Sequence, residues 1–91
     1  MKTIYKYPLD ITDVQQIYLR DGAKPLSVGF DGNNKLCLWA QIDTEAREMV
    51  CSIFIVGTGN SIPIVDSLVF IGSVIDKVTN PRATFVWHIY Y

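Results

Sequence analysis

Two short stretches carry residue types that can bind or transform a ligand, and the first is Gly57–Asn60, with the sequence Gly-Thr-Gly-Asn. Its composition is similar to that of loops whose backbone N–H groups hold an anion. It lacks the lysine and following helix of a Walker loop and the G-x-G-x-x-G spacing of a dinucleotide loop. A turn that requires a positive φ is therefore favoured, and anion binding is the alternative.

The second stretch contains His88, the only histidine. A zinc site needs three or four ligands, and no cysteine or carboxylate pattern surrounds this residue. A catalytic role would need an orienting partner, which Asp66 or Asp76 could supply only if the fold brought them together. Ser61 lies in no nucleophile elbow. We therefore expect a structural or partner-contact role for His88, no catalytic residue, no cofactor and no metal site.

Aromatic side chains are in surplus, with two Trp, five Tyr and four Phe in 91 residues. A core this small cannot bury all of them, and Tyr and Trp dominate binding hot spots. Exposed rings on a flat apolar patch would bind a protein target or a second copy of the chain. Rings in a pocket with Lys, Arg or backbone N–H groups would stack on a nucleotide base. The residues expected at the surface are Tyr5, Tyr7, Tyr18, Trp39, Trp87, Tyr90 and Tyr91.

β-Strands must position these residues, because β-branched and aromatic side chains alternate with polar ones and turn residues recur every 8–12 residues or so. The sequence predicts an all-β, single-domain antiparallel sandwich or barrel of six to seven short strands over residues 1–91. A loop is predicted over Lys77–Ala83 and a bulge or close backbone approach at Gly72. The predicted strands outside the centre are Lys2–Tyr7 (ended by Pro8), Val14–Arg20, Pro25–Asp31, Leu68–Ile75 and Thr84–Tyr91, with a short or edge strand at Ser61–Ile64.

A β-hairpin over residues 35–56 is predicted at the centre of the fold, with Thr44–Arg47 as its loop. Successive side chains of a strand point to opposite faces. This register gives one apolar face and one mixed face, as expected for a pair with a single buried side. It also places Asp43 opposite Glu48, which is mildly unfavourable. The apolar face would consist of Leu36, Leu38, Ala40 and Ile42 opposite Ile55, Ile53, Cys51 and Met49.

Charge and composition exclude several classes of protein. The net charge is −1 and the basic residues are dispersed, which argues against a nucleic-acid binder that depends on a basic stripe. The N-terminal residues lack the apolar core of a signal peptide, and no apolar run approaches the roughly 20 residues of a membrane span. A cytoplasmic protein is therefore expected. Two cysteines do not suggest a disulfide scaffold, and we expect Cys37 and Cys51 to be reduced packing residues.

Five blocks along the chain, KTIYKYPLDITD, LCLWAQID, IVGTGNSI, FIGSV and VWHIY, resemble a family of small hypothetical proteins from tailed bacteriophages and prophages. The family carries no settled activity, so the resemblance provides no catalytic residue. It implies a phage gene expressed in the cytoplasm of a bacterial host cell. Compact phage accessory proteins often antagonise host defence, by blocking a defence protein or by sequestering a nucleotide signal.

The sequence therefore predicts a non-catalytic phage accessory protein that antagonises bacterial immunity by sequestering a defence protein or a small phosphorylated signalling molecule. The apolar segment Leu68–Ile75 favours a homo-oligomer. The alternatives are a small nucleotide-cleaving hydrolase that uses His88 and a structural accessory of the virion. The residues expected to bind the ligand or partner are Trp39, Trp87, His88, Tyr90, Gly57, Thr58, Gly59 and Asn60.

Overall fold

The fold consists of β-strands joined by turns and loops. The computed structural model describes residues 1–79, 81–82 and 84–91, which contain seven strands and no helix. The all-β class is therefore confirmed. The strands are β1 (Lys2–Pro8), β2 (Val14–Arg20), β3 (Lys24–Phe30), β4 (Leu36–Asp43), β5 (Glu48–Gly57), β6 (Phe70–Asp76) and β7 (Phe85–Tyr90).

Two predicted segments, the strand at Ser61–Ile64 and the loop at Lys77–Ala83, were not fully confirmed. Residues 61–64 form no strand; Pro63 has no N–H to donate, and its carbonyl accepts a hydrogen bond from Val65 N–H. The predicted loop Lys77–Ala83 includes Asn80 and Ala83, which lie outside the described residues.

The strands form two antiparallel sheets that pack face to face. The three-stranded sheet has the order β1-β4-β3, and the four-stranded sheet has the order β2-β5-β7-β6. Strands β4 and β5 occupy interior positions, one in each sheet. Residues 44–47 therefore carry the chain from one sheet to the other.

The predicted central hairpin is wrong, because β4 and β5 do not pair with each other. Leu38 of β4 lies opposite Tyr7 on one side and Val28 on the other. Ile53 of β5 lies opposite Gln15 of β2. The alternation of side chains identified the buried face of each strand. It does not distinguish two strands that pair within one sheet from two strands that pack face to face in opposite sheets. The structure uses the second arrangement.

Charge pairing supports the observed arrangement. In the predicted hairpin Asp43 would face Glu48, which places like charges opposite each other. In the structure Asp43 lies opposite Lys2 and Glu48 lies opposite Arg20. Each acidic side chain therefore has a basic neighbour on the adjacent strand.

The core lies between the inner faces of the two sheets. Leu36, Leu38, Ala40 and Ile42 of β4 are all buried. The opposing sheet contributes buried apolar side chains from all four of its strands, and the segment after β1 adds one more; these are Leu19, Ile53, Ile55, Val74, Ile89 and Leu9. Cys51 of the predicted apolar face is half-buried and packs against this core, whereas Met49, near the start of β5, is exposed.

The sheets approach each other closely where β3 meets β6. A Cβ atom on Gly72 of β6 would lie 3.1 Å from Cγ2 of Val28 on β3. The register of β6 shifts between Phe70 and Gly72, which confirms the bulge expected there. The absence of a side chain at position 72 allows this junction to close.

Candidate functional site

Most of the predicted site residues meet where β5 ends beside β7. Strand β7 pairs with β5 so that Tyr90 lies opposite Phe54 and His88 lies opposite Val56. The chain then turns through residues 58–60, where Asn60 N–H donates to the Gly57 carbonyl. Gly59 has a φ of +92°, as the turn interpretation requires.

This turn forms one wall of a shallow cleft on the outer side of the four-stranded sheet. The cleft has a volume of about 260 Å³ and is lined by residues 56–60, Ile62, His88 and Tyr90. Drug-sized ligands generally occupy clefts of about 300–1,000 Å³. The cleft is therefore small, and none of its lining residues is Lys or Arg.

His88 is held between two hydroxyl groups at the edge of this cleft. Its Nε2 lies 2.8 Å from Oγ1 of Thr58, and its Nδ1 lies 2.6 Å from Oγ of Ser73. A neutral imidazole has one donor and one acceptor nitrogen, so one hydroxyl donates to the ring and the other accepts from it. These bonds fix the ring in place and bring Thr58 within the reach that a general base needs.

Ser73 was not identified from the sequence. It contacts His88 because β6 lies beside β7 with these two residues opposite each other. Strand order is not encoded in the local alternation pattern, and the neighbour of β7 was therefore not predictable. The two acids considered as orienting partners do not take this place: the hydrogen bonds of His88 are to hydroxyls, and Asp76 accepts from Trp87.

Trp87 lies on the inner face of β7, away from the cleft that contains His88 and Tyr90. Its ring packs against the core and close to Gly57, where a Cβ atom would lie 3.1 Å from the indole. Its Nε1 donates to Oδ2 of Asp76 at 2.9 Å, and its ring stacks on Phe85 with centroids 5.6 Å apart. This indole is therefore an anchor for the end of the sandwich.

Asp76 is fully buried, and its carboxylate accepts several hydrogen bonds. They include bonds from the N–H groups of Val78 and Thr79 and from Trp87 Nε1. Burial alone would raise its pKa, but the bonds from Thr79 and Trp87 outweigh that effect and hold the pKa at about 2. The ionised carboxylate therefore fastens the turn after β6 to the inner side of β7.

The outer face of the four-stranded sheet combines apolar side chains with polar pairs, where Gln16 lies opposite Ser52 and Ser73 lies opposite His88. One row crosses all four strands, with Val14 opposite Phe54, Phe54 opposite Tyr90, and Tyr90 opposite Phe70. The rings of Phe70 and Tyr90 are 5.3 Å apart and tilted by 60°. We define the apolar face by the outward residues Val14, Tyr18, Val50, Phe54, Phe70, Ile75 and Tyr90.

Much of the apolar face is accessible to solvent. Tyr18 is 65% exposed and Phe70 is 53% exposed, and Val14, Val50 and Ile75 are exposed to similar degrees. Sequence reasoning placed Tyr18 and Tyr90 at the surface but did not identify the aliphatic residues and Phe70 as part of a site. The available signal was the mixed outer side of β5, which includes Val50, Phe54 and Val56.

The outer face of the three-stranded sheet has a different chemistry, and it contains the remaining predicted site residue, Trp39. This half-buried side chain lies between Lys6 on β1 and Ser27 on β3. Two residues further along β4, Gln41 lies between Ile4 and Lys24. We define the lysine face by Lys2, Ile4, Lys6, Lys24, Trp39 and Gln41.

One carboxylate organises the end of this sheet. Asp31 accepts hydrogen bonds from Lys35 N–H and Asn33 N–H, and it accepts from Lys6 Nζ at 3.0 Å. The bond from Lys35 and the ammonium group of Lys6 hold the pKa of Asp31 well below its usual range. The same contact raises the pKa of Lys6.

Metal and thiol chemistry have little support in the described part of the chain. There, no group of three or more His, Cys, Asp or Glu side chains is placed to hold a metal ion. Cys37 and Cys51 are both free, as predicted. Burial raises the pKa of both thiols, which lowers the fraction present as reactive thiolate.

The fold and its surfaces together define a small β-sandwich with two chemically different outer faces. Over residues 1–91 the chain matches the model of a family described as a domain of unknown function, DUF7352, and it belongs to that family. No curated protein and no solved structure shows significant similarity to it. Among the described residues there is no helix long and apolar enough to cross a bilayer.

Proposed function

We propose that this chain is a non-catalytic binding protein that sequesters a protein target on its apolar face. In the biological setting implied by the phage resemblance, it is a phage accessory protein that antagonises bacterial immunity inside the host cytoplasm. The observation that carries this proposal is the outward-facing row Val14–Phe54–Tyr90–Phe70, which crosses all four strands of one sheet.

The size and composition of this face support a protein partner. Four strands spaced about 4.8 Å apart, with roughly seven residues each rising about 3.3 Å, cover an area on the order of 400 Å². The apolar side chains occupy part of this area, and an exposed apolar patch of a few hundred Å² is often functional. Charged side chains occur at its end, where Arg20 lies opposite Glu48. The matching surface would therefore be apolar and poor in charge.

The adjoining loop enlarges this surface. Ile62 lines the cleft beside His88 and Tyr90, and Ile64 is fully exposed two residues later. Specific complexes bury about 800 Å² on each partner, which is more than the flat sheet provides alone. A partner that contacts both the sheet and the loop would bury more area than the sheet alone offers.

The Gly57–Asn60 turn gives little support to a phosphorylated ligand on this side of the molecule. Thr58 N–H donates to the Val86 carbonyl and Asn60 N–H donates to the Gly57 carbonyl, so these two donors are already used. The lining of the cleft includes no Lys or Arg side chain. Of the two targets that the sequence left open, a protein is therefore favoured on this face.

The direct test replaces exposed side chains of the apolar face and measures protection of phage. Bacteria with an active defence system would express the wild-type chain, Phe70→Asp or Tyr18→Asp during infection. We expect the wild-type chain to restore phage growth and to co-purify with a component of the defence system in fixed stoichiometry. Both substitutions should abolish these effects while the thermal unfolding midpoint stays close to that of the wild type.

The matched control is Leu26→Asp, which places the same charge at an exposed apolar residue of the opposite sheet. It should retain activity. Equal loss in all three variants, or full activity in Phe70→Asp and Tyr18→Asp, would contradict the proposal. Light scattering identifies the competing occupant, because a dimer that Phe70→Asp converts to a monomer would mean that a second copy of this chain covers the face.

A second candidate function is hydrolysis, favoured by the 2.8 Å distance between Thr58 Oγ1 and His88 Nε2. His88 would act as the general base for the Thr58 hydroxyl or for a water molecule, and Ser73 would position the ring. Turnover of a nucleotide that disappears in His88→Ala and persists in Ser52→Ala, with both variants folded, would favour this function over sequestration. Ser52 is a matched residue because it lies on the outer side of the neighbouring strand β5.

A further inference from the structure

Trp39 provides a flat ring on the lysine face. Its Cζ3 lies 3.8 Å from the position that a Cβ atom of Gly29 would occupy, so the indole rests on the backbone of β3 where a side chain is missing. The residue is half-buried, which leaves part of the ring open to solvent. An aromatic ring supported from below and open above is the kind of platform on which nucleic-acid bases stack.

Positive charge surrounds this ring. Lys6 lies directly opposite Trp39, Lys24 lies opposite Gln41, and Lys2 lies opposite Asp43, so all three lysines are on the same outer surface. Lys6 pairs with Asp31. None of the ion pairs formed by the described residues involves Lys2 or Lys24. Lys24 lies two residues from Trp39 in the β4 register, and Lys2 lies four residues from it, opposite the carboxylate of Asp43. Both ammonium groups are therefore on the side of the sheet that carries the ring, with Lys24 the nearer of the two.

An open depression lies further along the same face, beside Gln41. It has a volume of about 510 Å³ and is lined by Lys2, Thr3, Ile4 and Gln41. Gln41 and Trp39 are two residues apart on one strand and therefore point to the same side. The depression can hold a group attached to the stacked ring, with Lys2 on its rim.

We propose that Trp39, Lys24 and Lys2 form a binding site for a phosphorylated nucleoside, either free or as part of a single strand. The base stacks on the indole and the phosphates lie against the two lysines. This site is on the opposite side of the sandwich from the apolar face, and it goes beyond the protein-binding function proposed above.

Purely structural roles explain part of this arrangement. An aromatic side chain can compensate for a glycine in a neighbouring strand. Lysines on edge strands such as β1 and β3 discourage edge-to-edge aggregation. Neither role requires the lysines and the ring to act on one ligand, and a binding measurement separates the two explanations.

The experiment compares four probes that separate charge from stacking: ADP, adenosine, inorganic pyrophosphate and a short oligothymidylate. Binding to the full chain is measured by calorimetry at several salt concentrations. We expect ADP or the oligothymidylate to bind, with adenosine and pyrophosphate clearly weaker. Tighter binding of ADP would identify a free nucleotide as the ligand, and tighter binding of the oligomer would identify a single strand.

Variants assign the binding to the named side chains. Trp39→Ala should weaken binding roughly 5- to 150-fold, because stacking of one base contributes about that factor. Trp39→Phe should retain most of the affinity, and it also keeps the test valid if the alanine variant fails to fold. Lys24→Gln should weaken binding and reduce the slope of log K against log salt concentration by about one.

The control for charge is Lys77→Gln, which removes a lysine that directly follows β6 in the other sheet and should leave binding unchanged. Absence of binding by both nucleotide probes would overturn the proposal. So would pyrophosphate binding as tightly as ADP, or an affinity that is the same in Trp39→Ala. Phe70→Asp should bind the probes normally, so failure here is distinguishable from failure of the apolar face.

Discussion

The two outer faces of this sandwich differ far more than the two inner faces do. Inside, both sheets present aliphatic side chains that pack into a continuous core. Outside, the three-stranded sheet presents lysines around one indole, whereas the four-stranded sheet presents Val, Ile, Phe and Tyr over most of its width. The same folding pattern therefore supports two surfaces of unlike chemistry.

Folding requires apolar residues on the inner faces of the two sheets, but it does not determine the composition of the outer faces. Packing of the two inner faces determines the sandwich, and polar residues on both outer faces would satisfy it equally well. An uncharged, exposed outer face promotes aggregation unless a partner covers it. We propose that contacts outside the chain account for this asymmetry, and this idea is the common basis of both binding proposals.

The largest expected effect separates the inside from the outside. Leu38 is fully buried and Val50 is 56% exposed on the apolar face. Leu38→Ala should lower the free energy of unfolding by about 2–5 kcal/mol, because it leaves a cavity in the core. Val50→Ala should change it by less than about 0.5 kcal/mol. Urea denaturation of both variants measures the contrast, and a cost at Val50 similar to that at Leu38 would mean that the apolar face is already covered.

The next effect concerns the carboxylate that accepts several hydrogen bonds at one end of each sheet. This residue is Asp31 in the three-stranded sheet and Asp76 in the four-stranded sheet, but only Asp76 is fully buried. Asp76→Asn replaces one acceptor oxygen with an NH₂ group that cannot accept from Trp87 Nε1. The variant should lose about 1–3 kcal/mol of unfolding free energy, the cost of an unsatisfied buried donor. Trp87→Phe should cost less when combined with Asp76→Asn than it does in the wild type, which a double-mutant cycle in urea would test.

The pH dependence of unfolding provides a second test of the contribution of Asp76 to stability. The pKa of Asp76 is about 2 in the folded protein, below the usual 3.8. A carboxyl group with a lowered folded pKa contributes stability above its unfolded pKa and loses it as the pH falls through its folded pKa. The difference in unfolding free energy between the wild type and Asp76→Asn should therefore be largest above about pH 4 and shrink towards pH 2. A difference that stays constant over this range would show that the pKa of Asp76 is the same in the folded and the unfolded chain.

The sequence predicts which side of a strand is buried, but it does not predict which strands pair with each other. Alternation in β4 identified its buried side correctly, yet the partner of that side is the opposite sheet and not an adjacent β5. For the same reason the sequence does not reveal that Trp39 and Trp87, both expected to bind the ligand or partner, lie in different sheets. Ser73 beside His88 and Asp76 beside Trp87 depend on the pairing of β6 with β7, which is long-range information absent from any local pattern.

The smallest expected effect is the change in stability when a glycine is replaced by alanine, at one position in each sheet. A methyl group at Gly29 would lie 3.8 Å from the Trp39 ring, an ordinary van der Waals contact. Gly29→Ala should therefore stabilise the chain by about 0.4–1 kcal/mol, because it restricts the unfolded state without strain. At Gly72 the same methyl group would lie 3.1 Å from Cγ2 of Val28. Valine has a stiff χ1 and cannot turn away freely, so Gly72→Ala should destabilise the chain.

Thermal and urea unfolding of the two glycine variants, with nucleotide binding as a second readout, would complete this comparison. If the Trp39 indole lies over Gly29 and its other face is open to a base, Gly29→Ala should stabilise the chain. The variant should also bind ADP or oligothymidylate about as tightly as the wild type does. Loss of stability at Gly29 would mean that the indole packs more tightly on β3 than an open ring can. The lysine face would then be more enclosed than the exposure of Trp39 indicates, and the indole would serve packing in place of ligand binding.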